Sequence, residues 1–139
     1  MMRQRHRTIR LETGARQALE LTAEIRDWLD QIEAEEGLLS VFIRHTSASL
    51  TIMENADPDV MRDLTDFLAR LAPEEADYAH DTEGPDDMPA HLKTALTQTH
   101  LSIPVIGGRL GLGTWQGIWL LEHRAMAHQR SVILHFIGE

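Results

Sequence analysis

Six side chains able to bind a metal ion or carry a proton fall within twelve consecutive residues: His80, Asp81, Glu83, Asp86, Asp87 and His91, in the segment HDTEGPDDMPAH. Imidazole and carboxylate are the usual nitrogen and oxygen donors to Zn, Mn or Mg. The spacing matches no structural zinc pattern. The alternative is a solvated acidic loop in which Asp86 or Asp87 only caps the next helix. A histidine one turn into a helix that starts near Asp87 would point back at that capping loop. His80, His91 and one of Asp86 or Asp87 are therefore the expected donors to a divalent ion.

Two further motifs could act with them. In HTSASLTIMEN, His45 ends an apolar run and is followed by small residues. Small residues let a ligand approach the backbone, and Thr46, Ser47 and Ser49 offer donors suited to phosphate oxygens. The plainer reading is a serine/threonine turn between strands with His45 satisfied by a carbonyl. In GTWQGIWLLEHR, glycines flank Trp115 and Gln116, and glycine in a strand often marks a close backbone approach. A tryptophan wall for a planar ring is one reading, and core tryptophan is the commoner one. Glu122, His123 and Arg124 are the polar candidates at the end of that run. Arg124 would clamp a phosphate or pair with a surface carboxylate.

The whole chain limits what these groups can be doing. Its 139 residues suit one domain able to bury a core unaided. With no cysteine there is no disulfide, thiolate metal site or cysteine nucleophile, which is compatible with a cytoplasmic setting. No apolar run is long enough for a membrane helix. The basic start MMRQRHRTIRL lacks the apolar stretch of a signal peptide. A net charge of −9 argues against general nucleic-acid binding. Lys93 is the sole lysine, whereas arginines that could bind phosphate in a plane are many.

Periodicity places the motifs. Residues 3–11 read as an edge strand. From Gly14 to Glu36 the spacing of Ala18, Leu21, Ile25, Trp28, Leu29 and Ile32 predicts one helix stopped by Gly37. LLSVFIR (38–44) and SLTIME (49–54) read as strands. Asp57-Pro58 predicts an N-cap and first turn for a helix carrying Val60, Leu64, Phe67, Leu68 and Leu71. Residues 74–87 are a polar loop, and a short helix runs from about Asp87 to Thr97. Strands follow at 101–106, 109–113, 114–123 and 131–138, with 124–130 as a hairpin loop. The class expected is α+β, helices on a largely antiparallel sheet.

HTSASLTIMENADPDVMRDL, YAHDTEGPDDMPAHLKTAL and IPVIGGRLGLGTWQGIWLLEHR, with the terminal IGE, resemble the YjbQ family in order and spacing, over about residues 5–139. Members are commonly labelled secondary thiamine-phosphate synthases. The resemblance implies one YjbQ-like domain over 1–139, a barrel-like sheet, a homotrimer and one site shared by the three motifs. It suggests a transferase joining a pyrimidine-methyl pyrophosphate to a thiazole phosphate. Metal donors would then be His80, His91 and Asp86 or Asp87. His45, Thr46 and Ser47 would meet phosphate oxygens, and Trp115 with Gln116 would shape a ring pocket. Glu122 and Arg124 would complete the site, with Asn55 also binding substrate and His45 and Glu122 as the catalytic pair. A metal-assisted hydrolase of a phosphate ester or amide, and a non-catalytic trimeric metal- or metabolite-binding protein, are the competing expectations.

Overall fold

A computed structural model describes residues 1–139. The elements are β1 (Arg3–Glu12), β2 (Ala18–Glu20), α1 (Thr22–Gln31), β3 (Gly37–Ile43), β4 (Ala48–Glu54), α2 (Pro58–Leu71), α3 (Asp87–Leu96), β5 (His100–Ile106), β6 (Arg109–Leu110), β7 (Gln116–Glu122) and β8 (Gln129–Gly138). They form a five-stranded sheet, β1-β8-β3-β5-β6, and a three-stranded sheet, β2-β7-β4, with every pairing antiparallel. The α+β class is the one the spacing of the elements predicts, and the half-barrel sheet is the one the family resemblance implies.

Alternation in β8 explains its central place. Val132, Leu134 and Phe136 are fully buried, while the residues between them face the other way. They join Leu39, Val41 and Ile43 of β3, and Ile25, Trp28 and Leu29 of α1, in one core of 20 side chains shared by both sheets and the helix. Asp57 caps α2 as expected: its Oδ1 accepts from the Asp59 N–H at 2.9 Å, with Pro58 at the first position.

Three expectations are corrected. The helix is shorter than the span 14–36, because residues 16–20 bond to β7 instead. The Arg16 N–H donates to the Arg124 carbonyl, the Glu122 N–H donates to the Gln17 carbonyl, and β2 pairs with β7. This pairing overrides local helical spacing, and the Ala18 match was coincidental. Residues 124–130 do not close a hairpin either. β7 belongs to the smaller sheet and β8 to the larger, so the segment crosses between sheets.

Gly37 starts β3 rather than stopping a helix. A Cβ there would lie 2.3 Å from the Ile137 carbonyl oxygen, on a backbone that cannot retreat without breaking the β3–β8 ladder. Gly37→Ala should therefore destabilise the fold by about 3 kcal/mol, measured by urea unfolding; an unchanged midpoint would show that the two backbones can separate freely.

Candidate functional site

The polar loop before α3 delivers Asp86 and Asp87 to the first turn of that helix, and His91 follows one turn later on the same face. Both aspartates are buried, at 5% and 3% exposure. Asp87 is the hub. Its Oδ2 lies 2.7 Å from His80 Nε2 and 3.2 Å from His91 Nε2, and its Oδ1 lies 3.0 Å from an Arg124 terminal nitrogen. Burial pushes the Asp87 carboxyl up. The His80 hydrogen bond and the His91 and Arg124 charges outweigh that and hold it below the usual range. His80 also reaches Glu83 at 3.1 Å, and its pKa is raised, first by the Asp87 hydrogen bond.

His91 fixes the logic of this cluster. Its Nδ1–H donates to the Thr46 carbonyl at 2.8 Å. With that proton committed, Nε2 can meet a carboxylate oxygen only through a second proton or a metal ion. The donors of His80, Asp87 and His91 all lie within 4.8 Å of one another. Two donors bonded to one zinc-like ion at about 2.0–2.1 Å sit roughly 3.3 Å apart, close to the 3.2 Å of the Asp87–His91 pair. One spacing of the trio thus matches a shared ion, while the 2.7 Å His80–Asp87 contact and the wider spread of the three donors would have to adjust to hold one. Asp86 does not belong to the trio. Its Oδ2 accepts from Arg124 Nε and from the Ala125 N–H, both at 2.8 Å. Between the two aspartates and the Glu83 carbonyl, Arg124 is committed to protein and is no free phosphate clamp.

The Thr46 carbonyl joins this cluster to the second motif. His45 and His91 line one open cleft of about 320 Å³ with Thr46, Thr94, Thr97 and Thr99. His45 and Thr46 also line an adjoining cleft of about 500 Å³ that reaches Arg44 and Arg130. His45 Nε2 accepts from the Ser131 N–H at 2.8 Å, so the ring offers Nδ1–H to the cleft. Burial and the nearby Arg130 charge lower its pKa. It is a hydrogen-bond donor toward the cleft, and its backbone partner is the Ser131 N–H, not the carbonyl of the plainer reading.

Glu122 is corrected more strongly. It is 3% exposed, and its oxygens accept from Thr13, from Arg130 and from the Arg124 N–H. A carboxylate so enclosed cannot touch substrate; it anchors Arg130, whose other bonds go to the Ser47 carbonyl at 3.2 Å and the Ser47 hydroxyl at 3.0 Å. Ser47 is thereby occupied as well. Arg130 is the residue sequence reasoning missed. It is the second residue of β8, inside a stretch read as loop, and nothing in AHQRSV hints at a buried ion pair.

The start of the third motif stays apart within the chain, although its end, Glu122 and Arg124, reaches Arg130 and the two aspartates. β4 and β7 pair from Ala48↔Glu122 to Glu54↔Gln116, which places Asn55, Trp115 and Gln116 roughly 20 Å along the strands from His45. Trp115 lies before β7, 63% exposed, so it shares no strand face with Trp119. Asn55 donates to Glu20 Oε2, and Gln116 accepts from the Gly113 N–H. His123 is buried beneath α2, where desolvation drives its pKa to about 4 and its Nε2 meets Ser49 Oγ at 2.8 Å.

Comparison with known proteins follows the same outline. The family model described as UPF0047 protein YjbQ-like matches residues 7–139. A UPF0047 protein of Synechocystis sp. is 50% identical over 138 residues, 99% of this chain and 94% of its own length. The UPF0047 protein YjbQ of Escherichia coli O157:H7 is 44% identical over 134 residues, 96% of this chain and 97% of its own. Among solved structures, a YjbQ/UPF0047 family protein of Clostridium acetobutylicum superposes with a TM-score of 0.86 at 35% identity, covering 93% of this chain and 98% of its own. A YbjQ-like protein of Sulfolobus solfataricus P2 gives 0.92 at 21% identity over the full length of both, a likeness of fold alone.

Proposed function

The chain belongs to the YjbQ-like UPF0047 family, and from that premise we propose that it is a thiamine-phosphate synthase-type transferase. It would join a pyrimidine-methyl pyrophosphate to a thiazole phosphate with release of pyrophosphate. The observation that carries this reading is the Asp87 cluster beside the His45 cleft, linked through the Thr46 carbonyl. The reaction needs no protein nucleophile. It needs charge neutralisation at the leaving group and alignment of two rings. His80, Asp87 and His91 would hold a divalent ion (Mg, Mn or Zn), which when bound supplies that neutralisation. Arg124 holds the Asp87 carboxylate in place, and the His91 bond to Thr46 fixes the ring that faces the cleft. His45 Nδ1–H and the Thr46 hydroxyl donate to substrate oxygens.

A homotrimer in the cytoplasm belongs to the same proposal. The outer face of the larger sheet exposes Leu38, Phe42, Ile106 and Ile137, apolar side chains suited to cover by another copy. Within such an assembly Asn55, Trp115 and Gln116 would complete a ring pocket from a neighbouring copy, since they cannot do so within one chain. No helix is long and apolar enough to cross a membrane.

Metal-loaded protein given both substrates should release pyrophosphate and form the joined product. His91→Ala should lower that rate by at least about 100-fold, because it removes both a metal donor and the grip on Thr46. Pyrophosphate released without the thiazole partner would identify a hydrolase. Tight binding with no turnover would identify a binding protein.

A further inference from the structure

The 500 Å³ cleft is chemically one-sided. In a chain of net charge −9, Arg44, His45, Thr46, Ser47, Thr99 and Arg130 line it with two apolar residues and no carboxylate. Arg130 sits at its floor, 5% exposed. One edge of the guanidinium grips Glu122, and Nη2 also holds Ser47. The remaining nitrogen, Nη1, makes no hydrogen bond to protein, and no fully buried side-chain nitrogen lacks a partner, so Nη1 keeps some exposure, and the cleft is an open space that Arg130 lines. His45 Nδ1, Thr46 Oγ1 and Thr99 Oγ1 likewise have no protein partner and line the same space.

A desolvated guanidinium held rigid by a buried carboxylate is a costly arrangement to keep for structure alone. It is well suited to an oxyanion, because the charge is preorganised and the surrounding donors need not give up other bonds. We propose that this part of the cleft is an oxyanion subsite that binds a phosphate group of the substrate through Arg130 Nη1, His45, Thr46 and Thr99, with no metal ion required. The inference deepens the transfer reading above, on which it rests for the substrate's identity. It also shifts the phosphate contact away from Ser47 and Arg124. The His45–Ser47 turn then separates two charges on one substrate: a phosphate on the Arg130 side, and the reacting group toward His91.

The test uses the full chain stripped of metal by chelation, titrated calorimetrically with inorganic phosphate and with pyrophosphate. Wild-type protein should bind at least one of them with a millimolar or lower Kd, weakening steeply with salt. Arg130→Met alone would strand Glu122, so the informative variant is the pair Glu122→Leu with Arg130→Met, which replaces the ion pair by apolar groups. It should fold and bind at least tenfold more weakly. A second variant, Thr46→Val with Thr99→Val, changes only cleft-lining hydroxyls and should weaken binding severalfold. Asp87→Asn should leave phosphate binding intact. Absence of binding in wild type, unchanged binding in the Glu122/Arg130 pair, or binding that appears only when a divalent ion is added would each overturn the subsite. Intact phosphate binding with no transfer product would retain the subsite and remove the synthase reading.

Discussion

Asp87→Asn is expected to weaken divalent-ion binding by at least about 100-fold while the protein stays folded. Outer partners of metal ligands already cost about 10–100-fold when removed, and Asp87 is the proposed direct donor, lying against two imidazoles. Asparagine keeps the shape but removes the negative charge that faces His80, His91 and Arg124 together. Arg124 retains Asp86 and the Glu83 carbonyl, so the loop keeps its anchor and the stability cost should stay near 2 kcal/mol. Competition against a chromophoric chelator measures the affinity, and urea unfolding of the metal-free protein measures the cost. Equal affinities in the two proteins would place any bound ion elsewhere and remove the metal from the proposed chemistry. Asp86→Asn is the matched control: its carboxylate serves Arg124 and the Ala125 N–H, so it should loosen the loop with a smaller effect on ion binding.

The contrast between Asp86 and Asp87 marks how far a sequence reading can go. Residue types and density in HDTEGPDDMPAH are enough to locate the cluster, and the helix start places His91 one turn after Asp87. Which of two adjacent aspartates faces the histidines depends on where Arg124 arrives, and that is set by the crossing from β7 to β8 between sheets. Strand alternation identifies the core of β3 and β8, because each side chain there answers only to its own strand. The span 14–20 misleads for the opposite reason: its backbone partners lie about a hundred positions away on β7, and local spacing carries no trace of them. The same limit explains Trp115 and Gln116. Their unusual glycine-flanked setting is visible, yet the antiparallel register of β4 and β7 sends them to the far end of the sheet from His45. Arg130 leaves no signal, since a buried arginine and a surface arginine are the same letter until Glu122 is folded against it.

Removing only the charge at position 130 should do more damage than removing both charges of the pair. Arg130→Met leaves Glu122 at 3% exposure with its principal counter-charge gone, a change that costs about 3–5 kcal/mol in comparable buried pairs. That is a large share of the roughly 5–15 kcal/mol that holds a domain of this size together. Glu122→Leu combined with Arg130→Met removes the stranded charge and should recover most of the loss, since buried pairs replaced by apolar groups of similar volume are often neutral in stability. The pH dependence supplies an independent check. Burial pushes the Glu122 carboxyl up, but its hydrogen bonds from Arg130, Thr13 and the Arg124 N–H prevail and hold the folded-state pKa below the ordinary value. A depressed carboxyl pKa means that the unfolded chain binds the proton more readily. Its stabilisation is therefore complete above the ordinary carboxylate range and disappears as the pH falls through it toward the folded-state value. Wild-type stability should drop over that acidic interval by more than the stability of the double variant, in which Glu122 has no proton to take up. Parallel pH profiles for the two proteins would show that Glu122 is not held ionised by Arg130. The guanidinium would then lose the anchor that makes it a fixed charge at the floor of the cleft.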